Sequence, residues 1–170
     1  MKTINKLIGS AALLVGLVSG ANAQSTATAS TTAVLVTPIS ITKTTDMHFG
    51  TVAASGTSGT VVLDYADGRV ATGGASLPAG STLQRTAVFD VTGEGTSGFA
   101  ITIPSAAITL TGSVSGTMTV NNFVCDLGAS SALVGGAKTL KVKATLNVNA
   151  GQVAGTYTNA SDLFVTVNYN

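Results

Sequence analysis

The chain of 170 residues carries 8 Lys and Arg against 7 Asp and Glu, with 9% charged residues, 5% aromatic residues and no Trp. That balance supplies neither a basic patch nor a stacking platform, so nucleic-acid binding is excluded. Disorder is excluded as well, because it goes with low hydrophobicity and high net charge, whereas 45% of these residues are hydrophobic and the net charge is +1.

Lys2 and Lys6 precede an apolar run from Leu7 to Val18, and Ala21-Asn22-Ala23 forms a small-x-small cleavage site. The pattern predicts a secretory signal peptide over residues 1–23, cut between Ala23 and Gln24. Its apolar run is shorter than the roughly 20 residues of a spanning helix. No later segment is apolar enough to span a bilayer, so the cleaved chain is expected not to span the membrane. Export through the inner membrane places it in the periplasm, at the cell surface or outside the cell. Losing Lys2 and Lys6 leaves a nearly neutral remainder of one domain's length.

Residues 24–32, QSTATASTT, form a small, polar leader expected to be flexible. Strand material begins at Ala33, where the domain 33–170 is expected to start. Leu35, Ile39 and Ile41 share a parity, although Pro38 lacks the N–H that a ladder needs and marks an edge or a break. Phe49 anchors the next stretch and Gly50 bends it. Ser55–Gly59 reads as a turn, and Asp67-Gly68 reads as a two-residue hairpin signal flanked by 61–65 and 69–72. Gly73–Gly80 reads as a loop. Ala87, Phe89 and Val91 face inward on a strand over 84–92, as do Phe99, Ile101 and Ile103 on the next, which Pro104 ends. Ile108 and Leu110 make a short strand.

Between Met118 and Leu127 the apolar parity slips at Asn121-Asn122. A β-bulge there would keep Val120, Phe123 and Cys125 on one side. Residues 137–148, AKTLKVKATLNV, alternate without a break from Leu140: Leu140, Val142, Ala144, Leu146 and Val148 against Lys141, Lys143, Thr145 and Asn147. A period of two belongs to a strand that buries one face. Gly151–Gly155 turns the chain, and Leu163, Val165, Val167 and Tyr169 form a final strand. About ten short strands with glycine-rich turns predict an all-β protein, a single immunoglobulin-like antiparallel β-sandwich.

Sites of chemistry are scarce. Gly93–Gly98 matches G-x-G-x-x-G in letters, but the strand-like FAITIP follows where a helix would be needed, so the glycines read as a hairpin turn. Glu94 is the sole glutamate and reads as a solvated turn residue. Asp64 and Asp67 read as turn carboxylates, because the ligand run of a calcium loop is missing. Cys125 and His48 are each alone, so no Cys/His metal cluster or internal disulfide can form, and Cys125 reads as a small buried hydrophobe. Asn159-Ala160-Ser161 is a glycosylation sequon in form only. No catalytic residue, metal or cofactor is expected.

VTPISITKTTDMHFGTVAASG (36–56), ITIPSAAITL (101–110), MTVNNF (118–123), KVKATLNVNAGQVAGTY (141–157) and FVTVNYN (164–170) resemble blocks of a bacterial secreted family catalogued as domain of unknown function 4402. The ending also resembles fimbrial subunits and spore-coat-U-like proteins, with Gly155, Tyr157 and Tyr169 at the matching places. That pilin-like resemblance implies a structural or adhesive surface subunit. It would form a homo-oligomer or fibre by strand addition and would be handled by a periplasmic chaperone. The subunit-contact strands would then carry Leu35, Ile39 and Ile41 at one end of the domain and Leu163, Val165, Val167 and Tyr169 at the other. The chain departs from the pilin pattern in its lengthened turn at Asn159–Ser161, in a leader without alternating bulky residues, and in lacking the disulfide of many pilins. The alternative expectation is a self-contained extracellular module binding carbohydrate or a surface protein.

Overall fold

A computed structural model describes residues 24–170; the expected signal peptide, Ala23 included, lies outside the described residues. Eleven strands occur among the described residues: β1 Ser40–Thr45, β2 Ala53–Leu63, β3 Arg69–Ser76, β4 Ala87–Thr92, β5 Gly98–Thr102, β6 Ile108–Gly112, β7 Thr117–Cys125, β8 Ser130–Ala132, β9 Ala137–Val148, β10 Tyr157–Thr158 and β11 Thr166–Tyr169. Every pairing is antiparallel. The fold is the expected all-β sandwich.

The long strand β9 organises the larger sheet. One of its sides pairs first with β4 and then with β2, and its other side pairs with β7. β1 extends the sheet beyond β4, β3 beyond β2, and β6 with β10 beyond β7. The smaller sheet has the order β11-β5-β8. All five apolar residues of the β9 alternation are buried.

One core cluster lies between the sheets. Phe89, Val91, Leu140 and Val142 of the large sheet meet Phe99, Ile101 and Val167 of the small one. A second cluster gathers Val61, Ala75, Val120, Ala144, Leu146 and Val148, with Phe49 and Val52 of the β1–β2 connection packed against it. Met47 and Phe123 touch both clusters.

The bulge expected at Asn121-Asn122 is present: the β7–β9 register shifts between Asn121 and Val124, and Asn122 has φ 52°. Val120 and Cys125 are thereby both buried. A hairpin at Asp67-Gly68 is present too, with Asp67 at φ 65°, but its loop is longer than the expected two residues: the strands end at Leu63 opposite Arg69, and Asp64 N–H donates to Gly68 O at 3.0 Å.

Several local expectations are corrected. Ser55–Gly59 is not a turn; β2 runs through it, with a register shift between Ala54 and Gly59 against β3. A Cβ at Gly59 would run into the backbone of Thr72, Gly74 and Ala75, so the glycine answers a close approach of backbones. Gly73–Ser76 belongs to β3 and not to a loop. Gly93–Gly98 is not a hairpin turn. Both sides of β4 are taken, by β1 and β9, so the chain crosses to the other sheet to start β5. β8 and β10 have too few residues for a period to register in the sequence.

Candidate subunit-contact edge

The predicted contact residues fall at the two ends of the domain, and the structure treats them unequally. β1 begins only at Ser40, after Pro38; Ile41 lies opposite Val91, and Ile39 and Ile41 are half-buried against the first cluster. Leu35 is not part of that strand. It is 99% exposed, between Val34 at 84% and Val36 at 50%. Residues 24–39 contain neither strand nor helix. The stretch read as one strand from Ala33 to Ile41 therefore divides, with its second part docked and its first part unpaired.

At the other end, Val167 is buried, and Leu163, Val165 and Tyr169 are half-buried against the same cluster. Ladder pairing covers only Thr166–Tyr169. The N–H of Asn170 donates to Gly98 O at 3.2 Å, and the register sets Asn168 opposite Ala100 and Thr166 opposite Thr102. In an antiparallel ladder the backbone groups alternate in direction. Those of Thr166, Asn168 and Asn170 therefore point at β5, while those of Val167 and Tyr169 point away from it. β11 ends its sheet, so this outward row is an open edge.

A closed set of hydrogen bonds sits beside that edge. Thr37 N–H donates to Glu94 Oε2 at 3.0 Å, Glu94 N–H donates to the Tyr169 hydroxyl at 2.6 Å, and that hydroxyl donates to Thr37 O at 2.7 Å. The bond from Thr37 holds the exposed Glu94 carboxyl below its ordinary pKa. Gly93 leaves the room: a Cβ there would overlap the Tyr169 hydroxyl. Glu94, expected from the sequence as a solvated turn residue, has an exposed carboxyl but is bonded, and nothing local signals partners 57 and 75 positions away.

The other polar residues that the sequence singled out have structural surroundings. Asp64 Oδ1 accepts the N–H groups of Ala66 and Gly68 at 2.8 Å, and Asp67 Oδ1 accepts Thr86 N–H at 2.7 Å. His48 Nδ1 accepts Gly50 N–H at 2.7 Å. Among the described residues no group of three His, Cys, Asp or Glu is arranged around a point that could hold a metal ion. Cys125 is a buried free thiol, and burial pushes its pKa up.

Asn159 is spent on its own loop. Its Nδ2 donates to Thr109 O at 2.9 Å, and its Oδ1 accepts Asp162 N–H at 2.9 Å. Tyr157 lies on β10, paired with β6 of the large sheet, and its hydroxyl donates to Val153 O at 2.6 Å. It therefore braces the 151–155 turn and is separate from the last strand.

Comparison with curated proteins and with solved structures returned no match. A family model does match, over residues 39–169, from the residue before β1 to the end of β11; the exposed Val34–Val36 lies ahead of the matched stretch. The chain belongs to the family described as domain of unknown function (DUF4402).

Proposed function

We propose that the chain is an exported structural subunit of a surface fibre or coat, assembled by strand addition between copies. The observation that carries this reading is a pairing of opposites on one molecule. β11 offers an edge with the N–H and C=O groups of Val167 and Tyr169 unpaired by any strand, and Val34-Leu35-Val36 offers an exposed apolar segment with no strand to pair with. An edge of this kind is a template for another chain's strand. Exposed Val and Leu side chains supply a reason for an added strand to stay, at about 25 cal/mol per Å² of apolar area buried.

The half-buried Ile39, Leu163 and Val165 support the reading, since they leave apolar surface for an added strand to cover. So does the low charge of the chain, 9%, which reduces the desolvation cost of packing among neighbours. In this arrangement a periplasmic chaperone would hold the β11 edge until assembly.

Electron microscopy of producing cells and of purified protein tests the proposal. Fibres or a coat are expected, and they should be lost when Val34, Leu35 and Val36 are replaced together by Ser while the monomer keeps its β-rich circular dichroism. A strictly monomeric protein at high concentration, with no assembly on cells, would overturn it.

A further inference from the structure

Among the described residues, the chain is first tied to the domain by hydrogen bonds at Thr37, and both backbone groups of that residue are taken. Its N–H goes to the Glu94 carboxylate, and its C=O receives the Tyr169 hydroxyl. Pro38 has no N–H to add, and pairing in β1 starts at Ser40. The bonds among Thr37, Glu94 and Tyr169 therefore fix the root from which the exposed Val34–Val36 leaves the domain.

Tyr169 belongs to two devices at once. Its hydroxyl closes this latch, while its backbone N–H and C=O lie in the outward row of β11. The two ends of the residue do not move independently, because the ring is half-buried against the first core cluster and the hydroxyl fills the room left at Gly93. β11 itself is lightly held, with four residues and a neighbouring strand on one side only. A strand so short and so exposed opens locally at low cost. Each opening draws the hydroxyl away from Glu94 and Thr37 and frees the root.

We propose that the latch couples the two assembly elements of one subunit: a strand added at the β11 edge holds that subunit's latch shut and so fixes the root of its own Val34–Val36. The inference rests on the strand-addition reading and adds its regulation. An added strand pairs with the outward groups of Tyr169, so it binds β11 in place better than β11 opened. A ligand that prefers one of two states shifts the population toward it by its differential affinity. The coupling is reciprocal, so a shut latch also makes the edge a better acceptor. A lone subunit offers its segment from a root that opens and closes. A subunit with a filled edge offers it from a fixed point, with less freedom to lose on entering the next edge. Growth on an occupied subunit is thereby favoured over the pairing of two lone ones.

A binding experiment on the full chain tests the coupling. The acceptor is the chain with Val34, Leu35 and Val36 replaced by Ser, which keeps Thr37, Glu94 and Tyr169 but donates no apolar segment. The probe is a synthetic, end-capped peptide of Ser30–Val36. Saturating peptide should slow amide exchange at Thr37 at least about fivefold, the low end of ordinary coupling factors. Glu94→Ala together with Tyr169→Phe removes the latch and leaves every backbone group of the β11 edge in place. Peptide affinity should then fall, and by reciprocity the fall should match the slowing at Thr37 to within about twofold. Gly93→Ala, which crowds the hydroxyl out, should weaken binding with both latch residues present. Glu94→Gln, which keeps an oxygen for Thr37 N–H, should retain it. Unchanged affinity in the double variant and in Gly93→Ala would overturn the coupling and leave strand addition standing. So would slowing at Thr37 that persists in the double variant, because the peptide would then be covering Thr37 directly. Failure of the peptide to bind any of these proteins would overturn strand addition at this edge, and the coupling with it.

Discussion

One hydroxyl, that of Tyr169, joins three distant parts of the chain: the approach to β1, the β4–β5 crossing and the last strand. Removing it with Tyr169→Phe leaves Glu94 N–H and Thr37 O without their partner, an expected loss of about 1–2 kcal/mol in denaturant unfolding. Glu94 adds a pH dependence of known sign. Its carboxyl pKa is lowered in the folded protein, first by the bond from Thr37, so the contribution is present above the unfolded carboxylate value and lost as pH falls through the folded one. Because the carboxylate is exposed, the effect is local. Amide exchange at Thr37 should accelerate on acidification below the ordinary carboxylate range, beyond the change at control amides, and Glu94→Gln should abolish that excess. Cys125 behaves oppositely in kind, since burial raises its pKa and keeps the thiol protonated. Alkylation of the native protein at neutral pH should run at least about tenfold slower than in denaturant.

At the scale of the element, the bulge in β7 shows what sequence can convey. The parity slip at Asn121-Asn122 was legible because Val120 and Cys125 must both reach the core, and a one-residue shift would send one set outward. Asn122 sits at φ 52°, a conformation that Asn tolerates and a β-branched residue does not. Asn122→Val should destabilise by about 1–2 kcal/mol in chemical denaturation, and Asn122→Gly should be nearly neutral. The β9 alternation was equally legible, since Leu140 to Val148 states its own register. What was not legible depended on partners. Ser55–Gly59 has the composition of a turn, yet it forms part of a strand because Gly59 and Gly74 let two backbones approach closely. Leu35 shares the parity of Ile39 and Ile41 but lies beyond Pro38 and finds no core. The Thr37–Glu94–Tyr169 hydrogen bonds are a product of folding across long separations, and no local pattern announces them.

The whole molecule rests on two core clusters that only partly share strands. β9 runs through both, with Leu140 and Val142 in one and Leu146 and Val148 in the other. Beyond this backbone continuity, the side chains of Met47 and Phe123 pack against both clusters. Phe123 reaches that position only because the bulge turns it inward, so a local irregularity in β7 becomes a coupling between the two halves of the domain. Single domains of this size generally unfold in one cooperative step, and here the cooperativity has an identifiable side-chain route. Phe123→Ala should cost about 3 kcal/mol, near the low end for buried aromatic truncation because the ring is half-buried. More specifically, it should loosen the second cluster relative to the first. Fluorine probes placed by substituting Phe89 and Phe49 with fluorophenylalanine would report the two clusters separately. In the parent protein their denaturation midpoints should coincide; in Phe123→Ala the Phe49 probe should melt first. Coincident midpoints in the variant would mean that Met47 and the two strands shared by the clusters, β7 with Val120 and Cys125 and β9 with its unbroken row of buried side chains, carry the coupling without Phe123.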